Sequence, residues 1–169
     1  MTWTTRTEHT ETDRASIREV LLTAFPTSLE AELVEALRLD PEAWMPDLSI
    51  VAETDDGTVA GYSLLTRCHV GDAPALALGP CAVPPEHQSK GAGAAAIRAG
   101  LDAARKAGEN LVIVLGHADY YPRFGFERAS LSGVSAPFDV PDENLMALAL
   151  DPSAPAPNGP IRYASAFGV

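Results

Sequence analysis

A chain of 169 residues, 46% hydrophobic and 21% charged, is long enough for one domain with a sizeable core and has the balance of a soluble globular protein. Its formal charge of −11 argues against nucleic acid or anionic membrane as the main partner and suits a cationic one such as an amine. No apolar run approaches the roughly 18 residues of a membrane span, the N-terminus lacks the apolar core of a signal peptide, and Cys68 and Cys81 have neither metal-motif spacing nor the number for a disulfide framework, so the expectation is a cytoplasmic protein with reduced thiols and no metal.

Residues Trp3 to His9 alternate loosely and predict a first strand. Asp13 is the expected N-cap of a helix through Phe25, with Ile17, Val20, Leu21 and Ala24 on one face. Pro26 stops it. A second helix is expected to open near Ser28, with Leu29, Leu33, Ala36 and Leu37 along one side. Pro41 and Pro46 bracket a loop that holds Trp44. Leu48 to Glu53 and Val59 to Thr66, joined by Asp55-Asp56-Gly57, predict a hairpin.

Cys68 to Pro74 reads as a loop and Ala75 to Val83 as the next strand. Pro80 cannot donate to a ladder, so that strand is interrupted or faces an edge there. Leu111 to Leu115 is a continuous apolar run and predicts a buried strand. Asp119 to Phe124 predicts a short helix capped by Asp119, Ser130 to Asp142 an irregular segment, and Asn144 to Leu150 another strand. The segment 151–160 is too proline-rich for regular structure, and Ile161 to Phe167 is expected to dock as a last strand. Helices first, then a hairpin, then strand–helix–strand predict an α/β layered domain with a mixed central sheet. No domain boundary interrupts residues 1–169, whose core is expected over 48–150.

The most informative stretch lies between two of these strands. Pro84-Pro85-Glu86-His87-Gln88-Ser89-Lys90-Gly91-Ala92-Gly93-Ala94 is a polar loop that runs into a helix with Ala94, Ile97, Leu101 and Ala104 on one stripe. Arg105 and Lys106 fill its last turn, and Gly108 follows as the cap. Two glycines at a helix entrance let backbone approach a ligand closely. The first N–H groups of a helix lack internal partners and point outward with the positive end of the dipole. With Lys90 beside them, they make a candidate phosphate or pyrophosphate cradle. It lies at the carboxyl end of a strand, where ligands of such sheets bind.

Gln88-x-x-Gly91-x-Gly93 between a strand and a helix resembles the acyl-coenzyme-A motif of the Gcn5-related N-acetyltransferase (GNAT) superfamily. Tyr121, four residues before Gly125-Phe126, resembles that family's tyrosine. Leu78-Gly79-Pro80-Cys81-Ala82-Val83, Val114-Leu115-Gly116-His117 and Tyr120-Tyr121-x-Arg123-Phe124-Gly125-Phe126 together resemble its YhbS-like subgroup. The resemblance is close over roughly residues 59–129. It implies a GNAT-like fold with helices on both faces and a splayed fourth strand, and an N-acetyltransferase that moves an acetyl group from acetyl-CoA to a primary amine by direct attack.

Carried onto residues, the resemblance implies that the loop N–H groups of Gln88, Ser89, Lys90, Gly91, Ala92, Gly93 and Ala94 hold the pyrophosphate of acetyl-CoA. The backbone around Cys81, Ala82 and Val83 pairs with the pantetheine arm, and an N–H near Ala82 or Val83 polarises the thioester carbonyl. Tyr121 gives a proton to the departing thiolate. No acid lies on Ala75 to Val83, so Glu53, His69, His117 or a water chain is left to take the amine proton. Ser89 and Arg123 are further candidates for phosphate contact. The acceptor, a small-molecule or peptide amine, is not named by the sequence, and a homodimer stays open. Two other readings stay open at this point. Gly91-x-Gly93-x-x-Ala96 followed by Asp119 also fits a dinucleotide fingerprint, and the same fold can serve as a non-catalytic acyl-coenzyme-A-binding module.

Overall fold

In the computed structural model, which describes residues 2–169, strand β1 (Thr4–Thr7) leads into helices α1 (Glu11–Ala24) and α2 (Leu29–Arg38). Strands β2 (Ser49–Glu53), β3 (Val59–Val70) and β4 (Ala73–Ala82) follow, and α3 (Ala92–Lys106) connects β4 to β5 (Leu111–Leu115). The chain continues through β6 (Glu127–Arg128), β7 (Val134–Ser135), β8 (Leu145–Ala149) and β9 (Gly159–Arg162). The sheet order is β1-β2-β3-β4-β5-β8-β6, with β9 beside β3 and β7. Along that order only β4 and β5 are parallel, as a helical crossover requires.

The period-two alternation of the strands sends side chains to two cores. Leu65, Leu76, Leu78, Val112 and Val114 meet Ile97, Leu101 and Ala104 of α3 on one face. On the other face Val51, Tyr62 and Leu64 meet Ile17, Val20 and Leu21 of α1 and Ala31, Val34 and Leu37 of α2. Leu111 and Ile113 also turn to that face, where Val134 and Ile161 cover them. The predicted mixed sheet with helices on both faces is therefore the architecture of the chain.

The fourth strand is broken where Pro80 predicts it. Leu65 faces Leu78 and Ser63 faces Cys81, so Gly79 and Pro80 together stand opposite Leu64 alone. This is a bulge, which takes up a residue without an N–H and bends the strand. The Gly79–Pro80 peptide is cis. On its other side β4 pairs with β5 only at Leu76–Val112, Ala77–Ile113 and Leu78–Val114. Beyond Leu78 the two strands part, and the parted ends define the site.

Several local expectations are corrected. The N-cap of α1 is Thr10, not Asp13; Asp13 is the third residue of a capping box, with the Thr10 hydroxyl accepting from Asp13 N and the Asp13 carboxylate accepting from Thr10 N. The buried stripe of α2 is Ala31, Val34 and Leu37, while Leu29 is 67% exposed. Leu33 is half-buried: it packs against the core and also lines a cavity. Residues 68–70 are strand, not loop, because Cys68 and Val70 are buried and the reversal needs only Gly71 and Asp72.

The segment after β5 is a 3₁₀ turn over Tyr121–Phe124, and Asp119 does not cap it. Its left-handed end is Gly125. The last strand is Gly159–Arg162 rather than Ile161 to Phe167; Ser165–Phe167 form a further 3₁₀ turn whose Phe167 packs toward α2. Pro160 fits β9 because the strand lies beside the ends of β3 and β7 and pairs through few residues.

Candidate active site

Two cavities open at the parted ends of β4 and β5, one on the α3 side and one on the α2 side. The first measures about 540 Å3 and is lined by Val83, His87, Gln88, Ser89, Gly91, Ala92, Gly93, Ala94, Tyr120 and Arg123. Its floor is backbone. Gly91 caps α3 at φ 90° without any side-chain cap, and the first intrahelical bond is Ala95 N to Gly91 O. The N–H groups of Ala92, Gly93 and Ala94 therefore have no helical acceptor and point toward the cavity mouth. A Cβ on Gly93 would come within 3.0 Å of Val83 Cγ2, so this position admits glycine because the helix start is pressed against the end of β4.

The loop before the helix is pinned from three directions. Gln88 Nε2 donates to Val83 O at 3.2 Å. Trp3 Nε1 donates to Lys90 O at 2.9 Å, tying the N-terminal segment to the cradle. Trp3 also meets His87 edge to face. The seven expected residues Val83, Gln88, Ser89, Gly91, Ala92, Gly93 and Ala94 line one cavity. Lys90 does not: its Nζ turns back to Glu86 O at 3.2 Å and the side chain stays exposed. The cation on the wall is Arg123, stacked over the Tyr120 ring at 4.2 Å with Nε donating to Tyr120 O.

Cys81 and Ala82 lie on the stretch of β4 that has left β5, and they keep their pairing to Ser63 and Tyr62 of β3. Cys81 is partly exposed. Burial of its thiol pushes it up to about 12, with a contact from Tyr121 acting the other way. Burial thus favours its protonated, less reactive form. Tyr121 is half-buried in an aromatic group with Tyr120, Phe124 and Phe126, at ring separations of 5.1, 6.3 and 6.0 Å. Burial raises its hydroxyl well above the usual phenol range, reinforced by the neighbouring Cys81 and Tyr120. Such a hydroxyl is held as O–H, the form that can donate a proton.

Gly116, which sequence reasoning placed only in a turn, sets the ring of Tyr121. A Cβ there would fall 2.3 Å from Tyr121 Cε2. His87 was also passed over; it lines the cradle, and its Nδ1 is enclosed without a hydrogen-bond partner among the described residues. No local sequence signal marks it beyond its place in the polar loop.

Each of the three candidate bases lies elsewhere. Glu53 is paired with Arg6 at 2.8 Å. His69 lines a small separate cavity with Arg67 and Arg162. His117 is exposed, and its carbonyl accepts from Tyr120 N. None lines the cradle or the second cavity.

That second cavity measures about 420 Å3. Leu78, Gly79 and Pro80 of β4 and Val114 and Leu115 of β5 form one wall; Glu30 and Leu33 of α2 with Phe138, Tyr163 and Phe167 form the other. No local signal marks Tyr163 and Phe167 as part of this wall.

The model of the acetyltransferase (GNAT) family matches residues 14–126, which spans α1, the parted strands, the cradle and the tyrosine turn. The chain belongs to the GNAT family. It is an acyl-CoA-dependent N-acyltransferase with acetyl-CoA as co-substrate. It is 42% identical to the uncharacterized N-acetyltransferase YjhQ of Escherichia coli over 139 residues, 79% of this chain and 76% of that one. It is 32% identical to the uncharacterized N-acetyltransferase YhbS of Escherichia coli over 70% of each chain.

Among solved GNAT structures, E. coli YhbS in complex with CoA superposes with a TM-score of 0.90 at 26% identity, over 99% of this chain and 92% of that one. A GNAT acetyltransferase from Brucella melitensis in complex with acetyl-CoA superposes at 0.79 with 33% identity and 98% of each chain. The dinucleotide reading is thereby set aside. No helix among the described residues of this GNAT chain is long and apolar enough to cross a membrane.

Proposed function

We propose that the chain acetylates a primary amine by direct attack, with the cofactor on the α3 side and the acceptor entering from the α2 side. The observation that carries this reading is the parting of β4 from β5 after Leu78 and Val114, with the backbone cradle at one mouth and Tyr121 beside Cys81 at the junction. The unpartnered N–H groups of Ala92, Gly93 and Ala94 and the loop Gln88–Gly91 bind the pyrophosphate. The Lys90 side chain has no part in this, and Arg123 supplies the positive charge.

The pantetheine arm runs along Cys81, Ala82 and Val83, whose ladder to β5 has ended, in the manner of an added strand. An N–H of Ala82 or Val83 polarises the thioester carbonyl. The amine nitrogen attacks that carbon, the C–N bond forms, the C–S bond breaks, and Tyr121 transfers its hydroxyl proton to the leaving sulfur. The tyrosinate is reprotonated at the expense of the proton that the new amide nitrogen sheds. Residues 1–169 act as one acyltransferase domain. A cytoplasmic setting is part of the same proposal, supported by the unpaired thiols of Cys68 and Cys81.

Incubation with acetyl-CoA and a panel of amines, followed by detection of free thiol, tests the reading. Amine-dependent thiol release is expected. Measurable binding of acetyl-CoA with no thiol release for any amine would make the chain a binding module instead.

A further inference from the structure

The α2-side cavity is chemically one-sided. Its wall is apolar and aromatic: Phe138 stacks on Tyr163 at 6.0 Å and 25°, and Tyr163 meets Phe167 at 5.3 Å. Among the described residues no Lys, Arg or His lines it, and Glu30 is its one acidic side chain. Glu30 sits in the first turn of α2. Its Oε2 is enclosed and has no hydrogen-bond partner among the described residues. An enclosed carboxylate oxygen without a partner is costly, and a cationic group brought against the part of Glu30 that lines the cavity offsets that cost.

Resting on the reading that this cavity admits the acceptor, we infer that the substrate is a primary monoamine with an uncharged apolar or aromatic body, and that Glu30 receives its ammonium group. Three features select that class. The rings of Phe138, Tyr163 and Phe167 offer the faces that attract a cation and bury the body of the ligand. A carboxylate on the substrate, as in a free amino acid, would be desolvated without any cation to meet it. A second ammonium, as in a polyamine, would be desolvated among the rings with no second side-chain acid to meet it.

The same surroundings assign Glu30 a step. The ammonium must lose a proton before its nitrogen can attack. Glu30 is the side-chain carboxylate that lines the cavity, and so the group placed to take that proton. The proton passes from the ammonium nitrogen to a Glu30 oxygen, leaving R–NH2 with its lone pair free. Glu30 later returns the proton to solvent, so that each turnover converts R–NH3+ and acetyl-CoA into the amide, CoA thiol and one proton. Glu30 thus fills the role left open by Glu53, His69 and His117, none of which lines the cavity.

The test compares 2-phenylethylamine, phenylalanine and spermidine as acceptors at saturating acetyl-CoA, for the intact chain and for Glu30→Gln. The kcat/KM for 2-phenylethylamine is expected to exceed those for phenylalanine and spermidine by about 100-fold, in line with the cost of leaving a buried charge unpaired. Glu30→Gln is expected to lower the 2-phenylethylamine value by about 100-fold and to flatten its rise with pH, with KM for acetyl-CoA within about twofold. Glu30→Asp should recover part of the loss. Equal use of phenylalanine or spermidine overturns the substrate class, and an unchanged pH profile in Glu30→Gln overturns the role of Glu30. Both outcomes leave the acetyltransferase reading intact, which fails only if no amine of any class releases thiol.

Discussion

The two cavities that meet at the parted strands are built from different material. On the α3 side most of the wall is one continuous stretch, Val83 to Ala94, fixed by a glycine cap and by Gln88 and Trp3, with Tyr120 and Arg123 added from the turn after β5. On the α2 side the wall is side chains from five separated places: α2, β4, β5, Phe138 and the segment 163–169. A diphosphate is the same in every reaction of this kind and can be held by N–H groups that any sequence possesses. An acceptor differs from enzyme to enzyme and must be told apart by side chains. The contrast says which substitutions should be general in effect and which selective.

Tyr121 sits at the boundary and gives the largest expected effect. Tyr121→Phe should lower kcat by about 10²–10⁴-fold, the usual worth of a positioned proton donor, for every acceptor tried. KM for acetyl-CoA should stay within about threefold. Steady-state kinetics with two unlike amines would check this; unchanged turnover removes the hydroxyl from the mechanism.

Next in size is the cradle itself. Gly93→Leu places a side chain where a Cβ already has Val83 Cγ2 at 3.0 Å and Tyr120 Oη at 3.7 Å. Affinity for acetyl-CoA, read by calorimetry, should fall by about 100-fold or more, as expected when several charge-assisted hydrogen bonds to phosphate are lost together. Retained affinity would mean that the diphosphate is bound elsewhere, and the contrast between the two cavities would collapse.

What the sequence disclosed follows the same division. The cradle was legible because strand, loop, glycines and helix are consecutive, and short-range rules govern each of them. The break in β4 was legible because Pro80 removes a donor wherever it stands. The α2-side cavity was not legible, since nothing local announces that Glu30 and Tyr163, far apart in the chain, will face each other. The face of α2 has the same origin: spacing alone puts Leu29 and Ala36 beside Leu33 and Leu37, but only the tertiary arrangement decides that Leu29 and Ala36 are exposed while Leu33 meets both core and cavity. The Lys90 side chain departs from the expected cradle for a related reason. Its position in the loop was readable, but its side-chain direction depended on the Glu86 carbonyl. The extension of β3 through Val70 is not legible, because nothing local distinguishes a two-residue turn at Gly71-Asp72 from a longer loop.

Gly116→Ala sharpens the boundary between the two regions. The added methyl would lie 2.3 Å from Cε2 and 3.0 Å from Cδ2 of Tyr121, so the ring must shift. A displacement near 1 Å at a reacting group is worth on the order of 10²-fold at most, and a partial loss of about 10- to 30-fold in kcat is expected. Binding of acetyl-CoA should be unchanged, because Gly116 lies outside the cradle. Double substitution with Tyr121→Phe should cost little more than Tyr121→Phe alone; additive losses would show that Gly116 acts through another group.

The smallest effect concerns how the two sides are anchored. The α2 side depends on α1, and α1 is tied to β1 and β2 through Asp13, Arg6 and Glu53, with Arg6 donating to both carboxylates at 2.8 Å. The Arg6 guanidinium holds the Asp13 carboxyl well below the usual carboxylate range, helped by donation from His9 and Thr10 N–H groups against the cost of burial. A depressed folded-state value contributes stability that is complete above the unfolded-state value, about 3.9, and is lost as pH falls from there toward the folded-state value. The α3 side carries no such carboxylate in its first turn. Asp13→Asn should therefore lower stability at neutral pH by about 2 kcal/mol, the scale of a hydrogen bond to a charged group, or roughly 4–8 °C in melting temperature. Between pH 5 and pH 3 it should lose less stability than the unsubstituted chain, because the group that titrates is gone. Thermal melts of both chains across that range decide the matter: parallel acid curves would show that Asp13 does not carry the acid sensitivity and that the two sides are anchored alike.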